Sequence, residues 1–235
     1  MYCPETMQVL DKRTLDDKEG ERSAVMEMLS AKDHEIPPGV VSGDAGIVSP
    51  EITAAIVGAG HGYVLQIKGN SGFAFDEAQR LPWSDAKIDV DFDVAHGREE
   101  TRVTRAIGTG DAVFGELAKY QDISVVVSVE RTTRKTSTGE ITHETSFYVG
   151  DKTYASFDLA TQGRYVRDHW GQESFHWIKD VVQREDASMQ RESNGARTLA
   201  TLRNLVTHAG RVLCGSTKGF IDEFTADPRG MAMGL

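Results

Sequence analysis

Between residues 40 and 70 the chain reads VVSGDAGIVSPEITAAIVGAGHGYVLQIKGN, and this stretch restricts the fold more than any other. VVSGD has the β-branched start of a short buried strand and ends at Asp44. Ser49 is placed as an N-cap, Pro50 at the first helical position, Glu51 in the first turn, and Gly58 or Gly60 near the helix end. GYVLQIKGN is then a second strand. Strand, helix, strand in this order predicts a parallel βαβ unit, with Asp44 at the carboxyl end of its first strand, where such sheets hold their ligands.

The flanks extend the pattern. TMQVLDKRTL alternates as a strand, and ERSAVMEMLSAKD has helical spacing at Val25, Met28 and Leu29 before IPPG breaks it. From Lys87 to Asp151 the character turns to β, in KIDVDFDV, EETRVTRAI, ISVVVSVERTTRK and ETSFYVG, with TSTGE as a hairpin turn. Helices return after Phe157 and run through Glu173. A last helix, NGARTLATLRNLVTHAGRVL, sets Leu199, Leu202, Leu205 and Val206 on one side. The expected organisation is an α/β core over residues 1–86, a β-rich insertion over 87–151 and a helical return to the core over 152–235.

At 39% hydrophobic and 26% charged residues the composition is that of a globular chain with one sizeable core. Apolar runs such as SVVVSV fall far short of the roughly 20 residues of a membrane span. MYCPETMQVLDKRT lacks a signal-peptide pattern, so a cytoplasmic protein without a membrane partner is expected. Cys3 and Cys214 sit at opposite ends with no CxxC spacing, which excludes a disulfide framework or zinc knuckle. The net charge of −10 argues against simple electrostatic binding of nucleic acid, yet the charge is uneven. Residues 1–51 carry −6, residues 52–163 carry −5 and residues 164–235 carry +1. Arg131, Arg134 and Lys135 form a local basic group, as do Arg191, Arg197, Arg203 and Arg211, and either group is a solvated face or a phosphate contact.

RYVRDHWGQESFHWIKDVVQRED begins at Arg164. At about 100° per residue, His169, Glu173, His176 and Asp180 fall on one narrow helical stripe beside a face made of Trp170, Ser174, Trp177, Ile178 and Val181. A carboxylate held on a rigid aromatic seat suits metal binding, and an amphipathic helix with a polar back gives the same pattern. A self-contained transition-metal site needs donors from a second helix, and no second cluster of His and Glu is evident.

VVSGDAG, GYVLQIKGN, AHGREETR, RDHWGQESFHW, DVVQREDAS and TLATLRNL, in this order and at these separations, resemble the catalytic domain of the DDE transposases of bacterial insertion sequences, in the H-repeat-associated family. The resemblance runs from Val9 to about Leu213. It implies a ribonuclease-H-like core, N-terminally incomplete and interrupted by the β-rich insertion. Asp44 would be the second catalytic aspartate and Glu173 the catalytic glutamate, together holding Mg²⁺ or Mn²⁺. The expected DNA contacts are Lys68, Arg98 and His169, with Arg131, Arg134 and Lys135 in the hairpin, and Asp180 stands near the site. Gln172 departs from the isoleucine usual before the glutamate.

The resemblance also implies a first aspartate on an earlier strand, in a segment like DGK, which no stretch here matches. Asp11, Asp16 and Asp17 fall in or after the third strand of the pattern. The chain is therefore expected to begin inside the catalytic domain. In the sheet order 3-2-1-4-5 it would lack the middle strands and be inactive by itself. The expected partners are transposon-end DNA and either a second copy or a full-length transposase. The alternative is a non-catalytic module that binds transposon ends or pairs with a transposase.

Overall fold

The computed structural model describes residues 2–3, 8–9, 20–30, 37–95, 97–110, 115–169, 178–183 and 193–226. Its strands are β1 (Tyr2–Cys3), β2 (Gln8–Val9), β3 (Val40–Gly43), β4 (Gly62–Ile67), β5 (Lys87–Ala95), β6 (Arg98–Gly108), β7 (Ile123–Lys135) and β8 (Ile141–Asp151). Its α-helices are α1 (Glu21–Ser30), α2 (Pro50–Gly58), α3 (Phe73–Gln79), α4 (Lys152–Ala155), α5 (Leu159–His169), α6 (Ser193–Cys214) and α7 (Thr217–Ala226). The chain divides into two compact units, Leu15–Arg167 and Met1–Thr14 with Asp168–Leu235.

The larger unit holds a six-stranded mixed sheet in the order β3-β4-β8-β7-β6-β5. The βαβ unit forms as the sequence predicts. Ser49 Oγ accepts from the Ile52 N–H, Pro50 opens α2, and Gly60 takes the positive φ of 84° that turns the chain back. β3 then pairs parallel to β4, Val41 against Tyr63 and Gly43 against Leu65. Gly43 packs closely, and a Cβ there would force the side chains of Ile47 and Leu65 to shift.

The β-rich stretch does not form a sheet of its own. β8 pairs antiparallel with β4, Leu65 against Val149 and Ile67 against Phe147, and β7, β6 and β5 follow as antiparallel neighbours. One face of the central strands packs Tyr63, Leu65, Val126, Phe147 and Val149 against Ile52 and Ile56 of α2 and Ala74 and Ala78 of α3. The other packs Val64, Val125, Val127 and Tyr148 against Tyr154 of α4 and Val166 of α5. Burying each of the Val, Leu, Ile and Phe side chains among these stabilises the unit by about 1.5–3 kcal/mol. Asp151, 2% exposed, joins the two sides. Its Oδ1 accepts from the N–H groups of Tyr63 (3.0 Å) and Tyr154 (3.1 Å), and its Oδ2 from that of Thr153 (3.0 Å).

In the smaller unit β1 and β2 pair antiparallel, Tyr2 against Val9. α6 packs on α7, where Gly210 lies so close to Thr217 that a Cβ would meet its Cα at 2.8 Å. Ile178–Val182 forms a π-helical turn, and Gln183 Nε2 donates to Arg203 O and Thr207 Oγ1, both at 2.9 Å. Where the sequence predicts a strand over TMQVLDKRTL, the described part is the two residues of β2. α3 and α7 are additions to the sequence-based expectation.

Candidate functional site

Asp44 is the first residue after β3 and is exposed. Its Oδ1 accepts from the Gly46 N–H at 2.9 Å, a local turn that fixes the carboxylate. The loop carrying it is held from both sides. Asn70 Nδ2 donates to Ala45 O at 2.9 Å from the turn after β4, and Arg22 Nε of α1 donates to Gly46 O at 3.2 Å. Lys68 is the exposed first residue after β4, and its N–H donates to Ser71 Oγ at 3.4 Å. The parallel pairing of β3 with β4 thus brings Asp44 and Lys68 to one edge of the sheet. Arg22 and Asn70 are additions that sequence reasoning did not single out.

The remaining strands project past this edge. β4 ends at Ile67 opposite Phe147, and β8 runs six residues further, back to Ile141, which is about 20 Å at roughly 3.3 Å per residue. β7 and β8 with their turn, and β5 and β6 with theirs, therefore form a four-stranded arm on the same end of the sheet as Asp44 and Lys68. α5 runs the same way. It starts beside the base of the sheet and brings Arg167 to Asp91 (2.9 Å) and Asp93 (2.6 Å) on the arm.

All three cations of the expected DNA-contacting hairpin are met by acids of the arm itself. Arg131 pairs with Glu144, Arg134 with Glu99 at 3.0 Å and Lys135 with Glu140 at 2.7 Å, and the last contact holds the Glu140 carboxyl below the usual range. Arg98, exposed at the start of β6, lies opposite Lys135 in the ladder of β7 and has no ion pair among the described residues. Arg98, Arg102, Arg131 and Lys135 share one face and Arg134 lies on the other.

His169 is the last residue of α5. Glu173 lies outside the described residues, as do Trp170, Gln172, His176 and Trp177, so the predicted stripe is represented by His169 and by the backbone of Asp180 in the π turn. Among the described residues no three His, Cys, Asp or Glu side chains gather to hold a metal. At this edge Asp44 supplies one carboxylate. Mg²⁺ takes one or two carboxylates and keeps several waters, so this donor fits part of such a site and does not complete it.

Comparison with known proteins bears on the same stretch. The protein named "Putative transposase YncI" of Escherichia coli O157:H7 is 27% identical over 224 residues, covering 90% of this chain and 55% of that protein. "H repeat-associated putative transposase YhhI" of Escherichia coli strain K12 is 26% identical over 207 residues, 84% of this chain and 53% of that protein. Two curated homologues are thus named transposases. A third relative, "Putative protein YbfL" of the same strain, is 27% identical over 209 residues. The chain spans about half the length of the curated relatives it matches. No protein-family model matches it. The name of YhhI carries the H-repeat-associated family whose motifs the sequence resembles. Among the described residues no helix is long and apolar enough to cross a membrane.

Proposed function

We propose that the chain is the part of an insertion-sequence transposase that carries the second catalytic aspartate, Asp44, and the catalytic glutamate, Glu173, on a ribonuclease-H-like core. The observation that carries this is the position of Asp44 on a doubly anchored loop at the carboxyl edge of a parallel strand pair, within a chain whose homologues are named transposases. In this reading residues 87–151 are an insertion that extends the core sheet into the arm. Residues 1–86 supply the aspartate and residues 152–235 the glutamate.

Bound Mg²⁺ or Mn²⁺ would supply activation of the attacking oxygen and stabilisation of the leaving one at a DNA phosphodiester. Asp44 and Glu173 would hold the ion. The bond from Gly46 N–H to Asp44 Oδ1 orients the carboxylate before any ligand arrives, so little reorganisation remains. Lys68 at the same edge, with Arg98 and His169, would neutralise phosphates on either side of the cut. The arm would lie along the duplex, its cations exchanging their glutamates for phosphate oxygens. Exposed pairs of this kind are weak, so the exchange costs little.

With two of the three carboxylates of the family pattern, the 235-residue chain on its own should leave transposon-end DNA uncut in Mg²⁺ or Mn²⁺. A longer polypeptide that joins the amino-terminal part of the YhhI relative to this chain should cut at a defined position, and Glu173→Gln within it should abolish cutting. Cutting by the 235-residue chain itself, lost on Asp44→Asn, would overturn the need for a third carboxylate.

A further inference from the structure

β5 closes one side of the six-stranded sheet and, among the described residues, is paired with β6 alone. Ile88, Val90, Phe92 and Val94 alternate along it on one face and are 57%, 61%, 63% and 60% exposed. An edge strand with free backbone groups and a continuous apolar stripe is a template for another strand, and proteins usually blunt such edges. The opposite face of β5 carries Asp89, Asp91 and Asp93. Arg167 answers Asp91 and Asp93, and Arg102 stands 3.7 Å from Asp91. Asp89 has no ion pair among the described residues.

These aspartates decide what the edge can accept. Centring two antiparallel copies of β5 on Asp91 sets Asp91 against Asp91 and Asp89 against Asp93. A shift to centre on Val90 sets Asp89 against Asp91, with Lys87 against Asp93 at the ends, and a shift to centre on Phe92 sets Asp91 against Asp93. Every register that keeps the apolar stripes on a common face over at least five residues of Lys87–Ala95 places aspartate opposite aspartate. Like charges directly opposite are destabilising in a sheet, so a second copy is the wrong occupant. A strand with cations at those positions turns each repulsion into an attraction while its alternate side chains extend the apolar stripe.

We propose that the free edge of β5 accepts, by strand addition, an extended segment of another polypeptide in which lysine or arginine alternates with β-branched apolar residues. Backbone hydrogen bonds supply the attachment, Ile88, Val90, Phe92 and Val94 select the apolar side chains, and Asp89 selects the cation.

The test titrates the full chain into fluorescein-labelled peptides and reads anisotropy. One peptide alternates lysine with valine, one alternates glutamate with valine, one has the first composition in two blocks, and one is the first with alternate amides N-methylated. The alternating lysine peptide should bind saturably, and the other three should bind at least about tenfold more weakly, since each removes charge match, side-chain alternation or backbone pairing. Phe92→Lys should weaken binding of the lysine peptide, and Asp89→Lys should shift preference toward the glutamate peptide. Both positions lie on the exposed strand, and circular dichroism checks that the fold is kept. Equal binding of the alternating and block peptides, indifference to both substitutions, or no saturable binding would overturn the proposal. So would a wild-type dimer in light scattering that Phe92→Lys dissociates, because a second copy would then occupy the edge.

Discussion

Asp44 is set in place by neighbours that do not touch its carboxylate. Asn70 and Arg22 each hold a backbone carbonyl of the next two residues, Ala45 and Gly46. Asn70→Ala removes one such bond and should lower stability by about 0.5–1.5 kcal/mol in urea unfolding. Gly43→Ala forces a methyl group onto Ile47 and Leu65 and should cost about 1–3 kcal/mol. Asp44 itself was legible, because a β-branched run followed by cap and proline signals fixes where the strand ends. Asn70 and Arg22 were not, since a side chain bonded to a distant carbonyl leaves no periodicity in the sequence. Tyr63 and Tyr154 give a pH test at the same scale. Burial raises both phenols above the usual range, with Asp151 adding to the effect at Tyr63 and Tyr148 at Tyr154. A raised tyrosine pKa contributes stability that is complete below the unfolded value near 10 and is lost as pH rises above it. Absorbance titration should therefore show these two tyrosines ionising only together with unfolding. Two early, reversible ionisations at these positions would contradict their burial.

The arm is the element whose chemistry the sequence concealed. Arg131, Arg134 and Lys135 read as a basic cluster along the chain, and the register of β6, β7 and β8 places Glu99 and Glu144, and the hairpin turn Glu140, against them. The hairpin turn was legible from TSTGE, whereas cross-strand partners far apart in sequence were not. Changing Glu99, Glu140 and Glu144 together to glutamine should free the three cations, strengthen duplex binding and steepen its salt dependence by up to about 0.9 per added phosphate contact. Fluorescence titrations at two salt concentrations measure both, and an unchanged affinity would remove the arm from the DNA path. α5 offers a second check. The Thr161 N–H donates to Asp158 Oδ1 at 2.7 Å, and backbone bonding foremost holds this carboxyl below its usual range. Its contribution is present above the unfolded carboxylate pKa and lost as pH falls through the lower folded value, so exchange protection at the start of α5 should drop in acid. Asp158→Asn should flatten that dependence.

At the scale of the whole molecule, the βαβ unit and the four long strands were legible because each is strongly periodic and bounded by turn signals. Their joining into one sheet was not. The pairing of Leu65 with Val149 spans more than eighty residues, and an apolar strand does not name its partner. α3 escaped because FAFDEAQ is short and begins at Phe73, 75% exposed, so no apolar stripe announces it. The central proposal is that Asp44 and Glu173, far apart in sequence, hold the same metal ion. Fe²⁺ in place of Mg²⁺, with ascorbate and peroxide, produces radicals that cut the backbone beside the bound ion, and mass spectrometry of the fragments maps its ligands. Cuts are expected both beside Asp44 and beside Glu173, suppressed by excess Mg²⁺ and lost together on Asp44→Asn. Cuts beside only one of the two residues, or cuts beside Glu173 that persist in Asp44→Asn, would contradict a shared site.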